Sequence, residues 1–207
     1  MSLRTLWGYE LTDADSMPEL LDAESFNEYS ANRFQGDIRI SKELDSASTA
    51  IRNYVGWHLY PSEACRLEMT LQDRRITFVG HDILIQLPAK YVTDVGSVTV
   101  NGAAYEYTYE TNGMLRVYDV EDYGLKRYSQ VVITYTAGLP DALMASIWEL
   151  TAHRLTHALS SSNGITSETA GGVSVTYNAN WINSSRATAL PDDNKEVLAP
   201  YRLQGVF

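Results

Sequence analysis

Between residues 40 and 160 the spacing of apolar residues changes twice, and this limits the folds open to the chain. From Ile40 the apolar positions Leu44, Ala47, Ile51, Tyr54 and Val55 recur every three or four residues, a helical period. Ser41, Lys42, Glu43, Asp45, Arg52 and Asn53 fall mostly on the other side. Gly56 sits where a left-handed residue ends a helix, and Pro61 forbids continuation. From Cys65 the period becomes two: "RLEMTL", "RITFV" and "ILIQL" are short and alternating. In "VTVNGAAYEYTY", Asn101-Gly102 fits a tight hairpin turn, and alternation puts Tyr105, Tyr107 and Tyr109 on one face. Asn112-Gly113 leads into "MLRVYD", and "SQVVITYT" closes the series. The helical period then returns. Leu143, Met144, Ile147, Trp148, Leu155 and Leu159 form an apolar stripe, opened by Pro140 and Asp141 and ended by three serines, Asn163 and Gly164.

The pattern predicts an α+β protein. Its helical core has two long helices plus short ones, with an inserted antiparallel β subdomain of five to seven strands and an extended C-terminal arm. By this reading residues 1–61 hold an N-terminal acidic segment and the first half of the helical core. Residues 62–137 are the inserted β subdomain. Residues 138–207 hold the second half of the core, the arm and a C-terminal docking tail. Asp22 is placed to cap a short helix through Phe26 and Tyr29. "GVSVTYNANWI" reads as a strand or arm, and "DDNKEVLAPYRL" as a short last helix. Trp57 is expected to fold back as an anchor at the helix end.

Composition narrows the function. The 207 residues suffice for one sizeable core. No apolar run reaches the roughly 18 residues of a membrane span, and the N-terminus lacks a signal-peptide stretch, so a soluble protein made inside the cell is expected. Cys65 is the single cysteine and has no disulfide or CxxC partner. The net charge of −10 argues against gripping nucleic acid by phosphate neutralisation, but suits a wall past which DNA slides. Glu10, Asp13, Asp15, Glu19, Asp22, Glu24 and Glu28 form an acidic run without a base. They are candidates for lining a DNA channel, with Glu43 and Asp45 behind them; a solvated surface is the plainer reading.

No catalytic constellation emerges. Glu149, His153 and His157 share one helix face, but HExxH and a further ligand are absent. There is no Walker A loop, no GxGxxG after a strand and no nucleophile elbow. Asp13-Ala14-Asp15 and Asp192-Asp193 lack the companions of a two-metal nuclease. Neither enzyme activity nor a metal or cofactor is expected. Fourteen tyrosines and four tryptophans suit an interaction protein. The apolar end of the chain supplies candidate partner-binding residues: Leu198, Pro200, Tyr201, Arg202, Leu203 and Phe207.

"ASTAIRNYVGWHLYPS", "VVITYTAGLPDALMASIWELTAHRL", "ITSETAGGVSVTYN" and "VLAPYRL", in that order, resemble the head-tail connector (adaptor) proteins of tailed bacteriophages. The resemblance covers residues 20–60 and 130–207. Val55 stands where the family often has Cys. The resemblance implies a homo-oligomeric ring, usually of twelve copies, in the virion neck. Such a ring binds the portal protein on one side, through the tail, and a stopper or tail-completion protein on the other, while DNA passes through without sequence-specific binding. It implies no membrane partner and synthesis in the host cytoplasm. The rival reading is another virion interaction protein: a minor capsid, decoration or tail-terminator protein. Less favoured is a metal-dependent hydrolase using His153 and His157.

Overall fold

The computed structural model describes residues 2–120, 128–160, 167–170, 173–176, 190 and 192–203. The chain divides into two compact units, each assembled from separated stretches. A sheet unit takes Met1–Pro18, Val55–Pro140 and Tyr201–Phe207; a helical unit takes Glu19–Tyr54 and Asp141–Pro200. Residues 1–18 and 55–61, read from the sequence with the first helical half, group with the strands.

Among its described residues the sheet unit contains two antiparallel sheets. The larger has the order β1-β2-β3-β10-β6-β7, from β1 (Leu3–Arg4), β2 (Tyr9–Leu11), β3 (Glu63–Thr70), β6 (Val92–Val100), β7 (Ala103–Ala104) and β10 (Gln130–Ala137). The smaller has the order β4-β5-β9-β8, from β4 (Ile76–Val79), β5 (Asp82–Gln86), β8 (Tyr107–Tyr109) and β9 (Met114–Val117). Strict alternation sets the register. Val131, Ile133, Tyr135 and Ala137 of β10 are buried, as are Leu67 and Cys65 on β3, opposite Tyr9 and Leu11 of β2. In the smaller sheet Ile83, Ile85, Leu115 and Val117 are buried on one face.

Three features depart from the sequence reading. Among the described residues, eight strands lie between 62 and 137, not five to seven. β2 lies at the start of the acidic run, where no strand was expected, with Tyr9 and Leu11 buried and Glu10 between them partly exposed. The hairpin at Asn101-Gly102 does form, with φ of 50° and 83° there, but its return strand changes sheet: Ala103–Ala104 pairs with β6, whereas Tyr107–Tyr109 pairs with β9. Tyr107 and Tyr109 still act from one face. Their hydroxyls donate to Val95 O (2.6 Å) and Thr93 O (3.1 Å) of β6, so side chains replace a backbone ladder where the strand leaves.

The helical unit is built on α1 (Ala23–Tyr29), α2 (Ile40–Val55) and α3 (Asp141–Ser160). A short α4 (Asp192–Leu198) runs into a 3₁₀ turn, Ala199–Tyr201. Leu21, Phe26, Ile40, Leu44, Ala152, Leu155 and Leu159 form its core, with Phe34 and Trp148 against them. Asp22 caps α1 as expected, accepting from Ser25 N–H at 2.8 Å. Arg39 grips both oxygens of Asp37 and also donates to Leu159 O at the end of α3 (3.4 Å). The region read as an arm holds a two-stranded ribbon, β11 (Ser167–Ala170) paired with β12 (Val173–Thr176). The remainder of that arm lies outside the described residues.

Candidate functional site

The stretch after α2 organises the part of the sheet unit where the chain's two ends meet its middle. Gly56 has φ 84°, the left-handed residue expected after a helix. Trp57 follows, fully buried, and its indole Nε1–H donates to Tyr201 O at 2.8 Å. Leu203 N–H donates to Val55 O at 2.9 Å. The last carbonyls of a helix lack partners within it, and here the returning C-terminus satisfies one. Residues 201–203 therefore form a strap over the helix end.

His58 comes next and is 1% exposed. Its Nε2 lies 2.7 Å from Ala137 O, its Nδ1 lies 2.7 Å from Tyr9 Oη, and its backbone N–H donates to Tyr9 Oη at 3.0 Å. A carbonyl can only accept, so Nε2 carries the proton. Nδ1 then accepts from the Tyr9 hydroxyl, which in turn accepts from His58 N–H. A neutral imidazole satisfies every group in this ring of contacts, and the arrangement is structural. Leu59 has φ 72°, and Tyr60 N–H donates to His58 O across it, a tight turn rare for a bulky residue. Leu139 N–H donates to Leu59 O and helps hold that strain. Trp57 is the anchor the sequence suggested. The roles of Tyr9 and Ala137 were not foreseen, and only the "YEL" alternation after Gly8 signalled that Tyr9 points inward.

The candidate partner-binding residues occupy unlike positions. Leu198 is fully buried in the helical unit. Pro200 and Arg202 are exposed, while Tyr201 and Leu203 are half-buried in the strap. Phe207 lies outside the described residues.

The channel candidates divide between the two units. Glu10, Asp13 and Asp15 belong to the sheet unit; Glu19, Asp22, Glu24 and Glu28 belong to the helical unit. Two have structural work. Glu10 lies across from Arg66 in the β2–β3 pair, 3.9 Å away, and Asp22 is the α1 cap. The Ser25 N–H bond holds the Asp22 carboxyl below its usual range. Partial burial raises that of Glu19, against a bond from the Ser41 hydroxyl. Asp13, Asp15, Glu24 and Glu28 are exposed.

His153 and His157 stack edge to face with ring centroids 4.6 Å apart. Burial, then the neighbouring His153, lowers the His157 pKa. Among the described residues no group of three or more His, Cys, Asp or Glu side chains is placed to hold a metal ion. Burial pushes the Cys65 thiol up to about 12, which keeps it protonated and unreactive. No helix among the described residues is long and apolar enough to cross a membrane.

Comparison with known proteins gives an extensive family match. The family model described as "Head completion protein" matches residues 19–203. No curated protein matches. Among solved structures, a chain of the "Neck of empty GTA particle computed with C6 symmetry" is 18% identical, covering 93% of this chain and 96% of that one, with a TM-score of 0.44.

Proposed function

We propose, from the premise that this chain belongs to the head completion protein family, that it is the subunit of a ring joining the portal to the tail. Membership makes it a structural protein of the virion. The observation that carries the finer reading is the extent of the match: residues 19–203 take in α1 through α4 and every strand from β3 onward. A structural role also suits a buried histidine consumed by packing and a cysteine held as thiol.

In this reading the ring is a homo-oligomer, with twelve copies as the expected number. DNA passes through its centre without sequence-specific binding. A net charge of −10 favours passage, because few cations are left to retain phosphate. The exposed carboxylates Asp13, Asp15, Glu24 and Glu28 are the foremost lumen candidates, with Glu10, Glu19 and Asp22 behind them. The portal-side contact falls to Pro200, Tyr201, Arg202 and Leu203 and the residues beyond them, including Phe207. Leu198 roots that tail in the helical unit. A stopper or tail-completion protein takes the other side.

The test mixes purified chain with its portal. The chain alone should sediment as a monomer or weak oligomer, and rings should appear by electron microscopy only with portal present. A stop codon after Leu203 keeps the strap and should weaken portal attachment while leaving the fold intact. Binding to capsid shells that lack portal would instead favour a decoration protein.

A further inference from the structure

β4 is an edge strand of the smaller sheet, and it is unusually open. Thr77, Phe78 and Val79 are all exposed, Phe78 by 53% and Val79 by 46%. Its backbone phase follows from one bond. Gln86 N–H donates to Arg75 O, so Thr77 and Val79 turn their backbone groups towards β5, and Phe78 turns its N–H and C=O outward. The strand is four residues long but has no proline, lysine or bulge, three of the devices that keep an edge from pairing. An aromatic side chain beside an outward donor and acceptor is a surface shaped for another strand.

The same chain carries a piece that needs such an edge. β11 and β12 pair only with each other among the described residues. A two-stranded ribbon is marginal by itself and gains stability from a third strand. The charges agree. Beside β4, Asp73 is paired with Arg75 and Asp82 with Arg116, which leaves exposed Arg74 as the added positive charge at this edge, whereas the chain as a whole carries −10 and the ribbon carries Glu168 without a base.

We propose that the β11–β12 ribbon of one copy adds to the β4 edge of the next. The inference rests on the ring reading above and names the contact that builds the ring. Acceptor and donor are different surfaces, so the contact is head-to-tail, the type that closes into rings. Phe78 is its apolar anchor.

Disulfide trapping tests it. Against an added antiparallel strand, Thr77 occupies a non-hydrogen-bonded position, where opposed Cα atoms come about 4.5 Å apart and a disulfide can form. One chain carries Thr77→Cys; a second carries cysteine at Glu168, Thr169, Ser174 or Val175 in turn. Buried Cys65 stays in place. Mixed rings are assembled on portal, oxidised and run without reductant. At least one pairing should give covalent dimers, and the corresponding double-cysteine chain should give a ladder. Rings that form without any such dimer, or a double-cysteine chain linked only within itself, overturn the contact and leave the ring reading standing. Chains that never form rings overturn both. Phe78→Pro removes the outward donor at an edge position where proline is tolerated. It should keep the far-ultraviolet spectrum of the parent and abolish rings; rings at parental yield would also overturn the proposal.

Discussion

In the helical unit, Leu44 and Leu155 are buried by a spacing that can be read within a single helix. In the sheet unit, His58 is buried by partners 49 and 79 residues away, and Trp57 is held from 144 residues away. The first kind of core is made of stripes that meet. The second is made of closures, each of which works only when distant segments arrive in register. Damage to a stripe should therefore be graded, whereas damage to a closure should act on several elements at once.

The largest expected effect comes from Gly138, which sets the end of β10 against the turn after the cis Tyr60-Pro61 bond. Its φ is 156°, and an added Cβ would meet Pro61 O at 2.6 Å and the Ser62 backbone. Those atoms are main chain and cannot swing away. Gly138→Ala should cost about 4 kcal/mol or more, by forced backbone strain and overpacking. Amide exchange followed by mass spectrometry should show β2, β3 and β10 losing protection together. If the loss stays local to residues 137–140, the closures are only weakly coupled.

Leu155→Ala is the counterpart in the helical core, with an expected cost of about 3 kcal/mol from lost burial and the cavity left behind. Faster exchange should concentrate in α1, α2 and α3. Tyr9→Phe then sharpens the contrast with almost no change in volume. Removing the hydroxyl takes away the acceptor of His58 N–H and the donor to Nδ1, both buried. An unsatisfied buried group costs about 1–3 kcal/mol, so a loss near 2 kcal/mol is expected in urea unfolding. A loss of a few tenths would mean that water reaches the contacts around His58.

The same contrast explains what could be read from the sequence. The cap at Asp22, the extent of α2, the left-handed Gly56 and the Asn101-Gly102 turn rest on local rules, and all appear in the structure. β1 and β2 escaped because two and three residues give alternation too little length to show. The switch of sheet between Ala104 and Tyr107 escaped because both segments alternate correctly for either partner. Leu198 read as a tail anchor because apolar residues near a terminus look alike whether they dock on a partner or on their own unit. The ribbon was read as part of an arm, and the openness of β4 depends on which strands flank it, a non-local fact.

The smallest expected effect concerns Asp22, at the helix end that the sequence describes best. Its carboxylate accepts from Ser25 N–H and from the Ser25 hydroxyl. Asp22→Ala should cost about 1 kcal/mol, the usual value of an N-cap, seen as faster exchange in α1 alone. The cap also carries a pH signature. Its folded pKa lies below the unfolded value, so its stabilisation is fully present above the unfolded carboxylate pKa of about 4 and is lost as pH falls through the lower folded value. Asp37, held at about 2 by the Arg39 guanidinium, follows the same sign over a still lower range. Asp22→Asn keeps an acceptor oxygen that does not titrate. At neutral pH it should lie between parent and alanine variant, and its deficit relative to the parent should shrink as pH falls from 5 towards 3. A deficit that stays constant across that range would mean that Asp22 acts through its shape and not its charge.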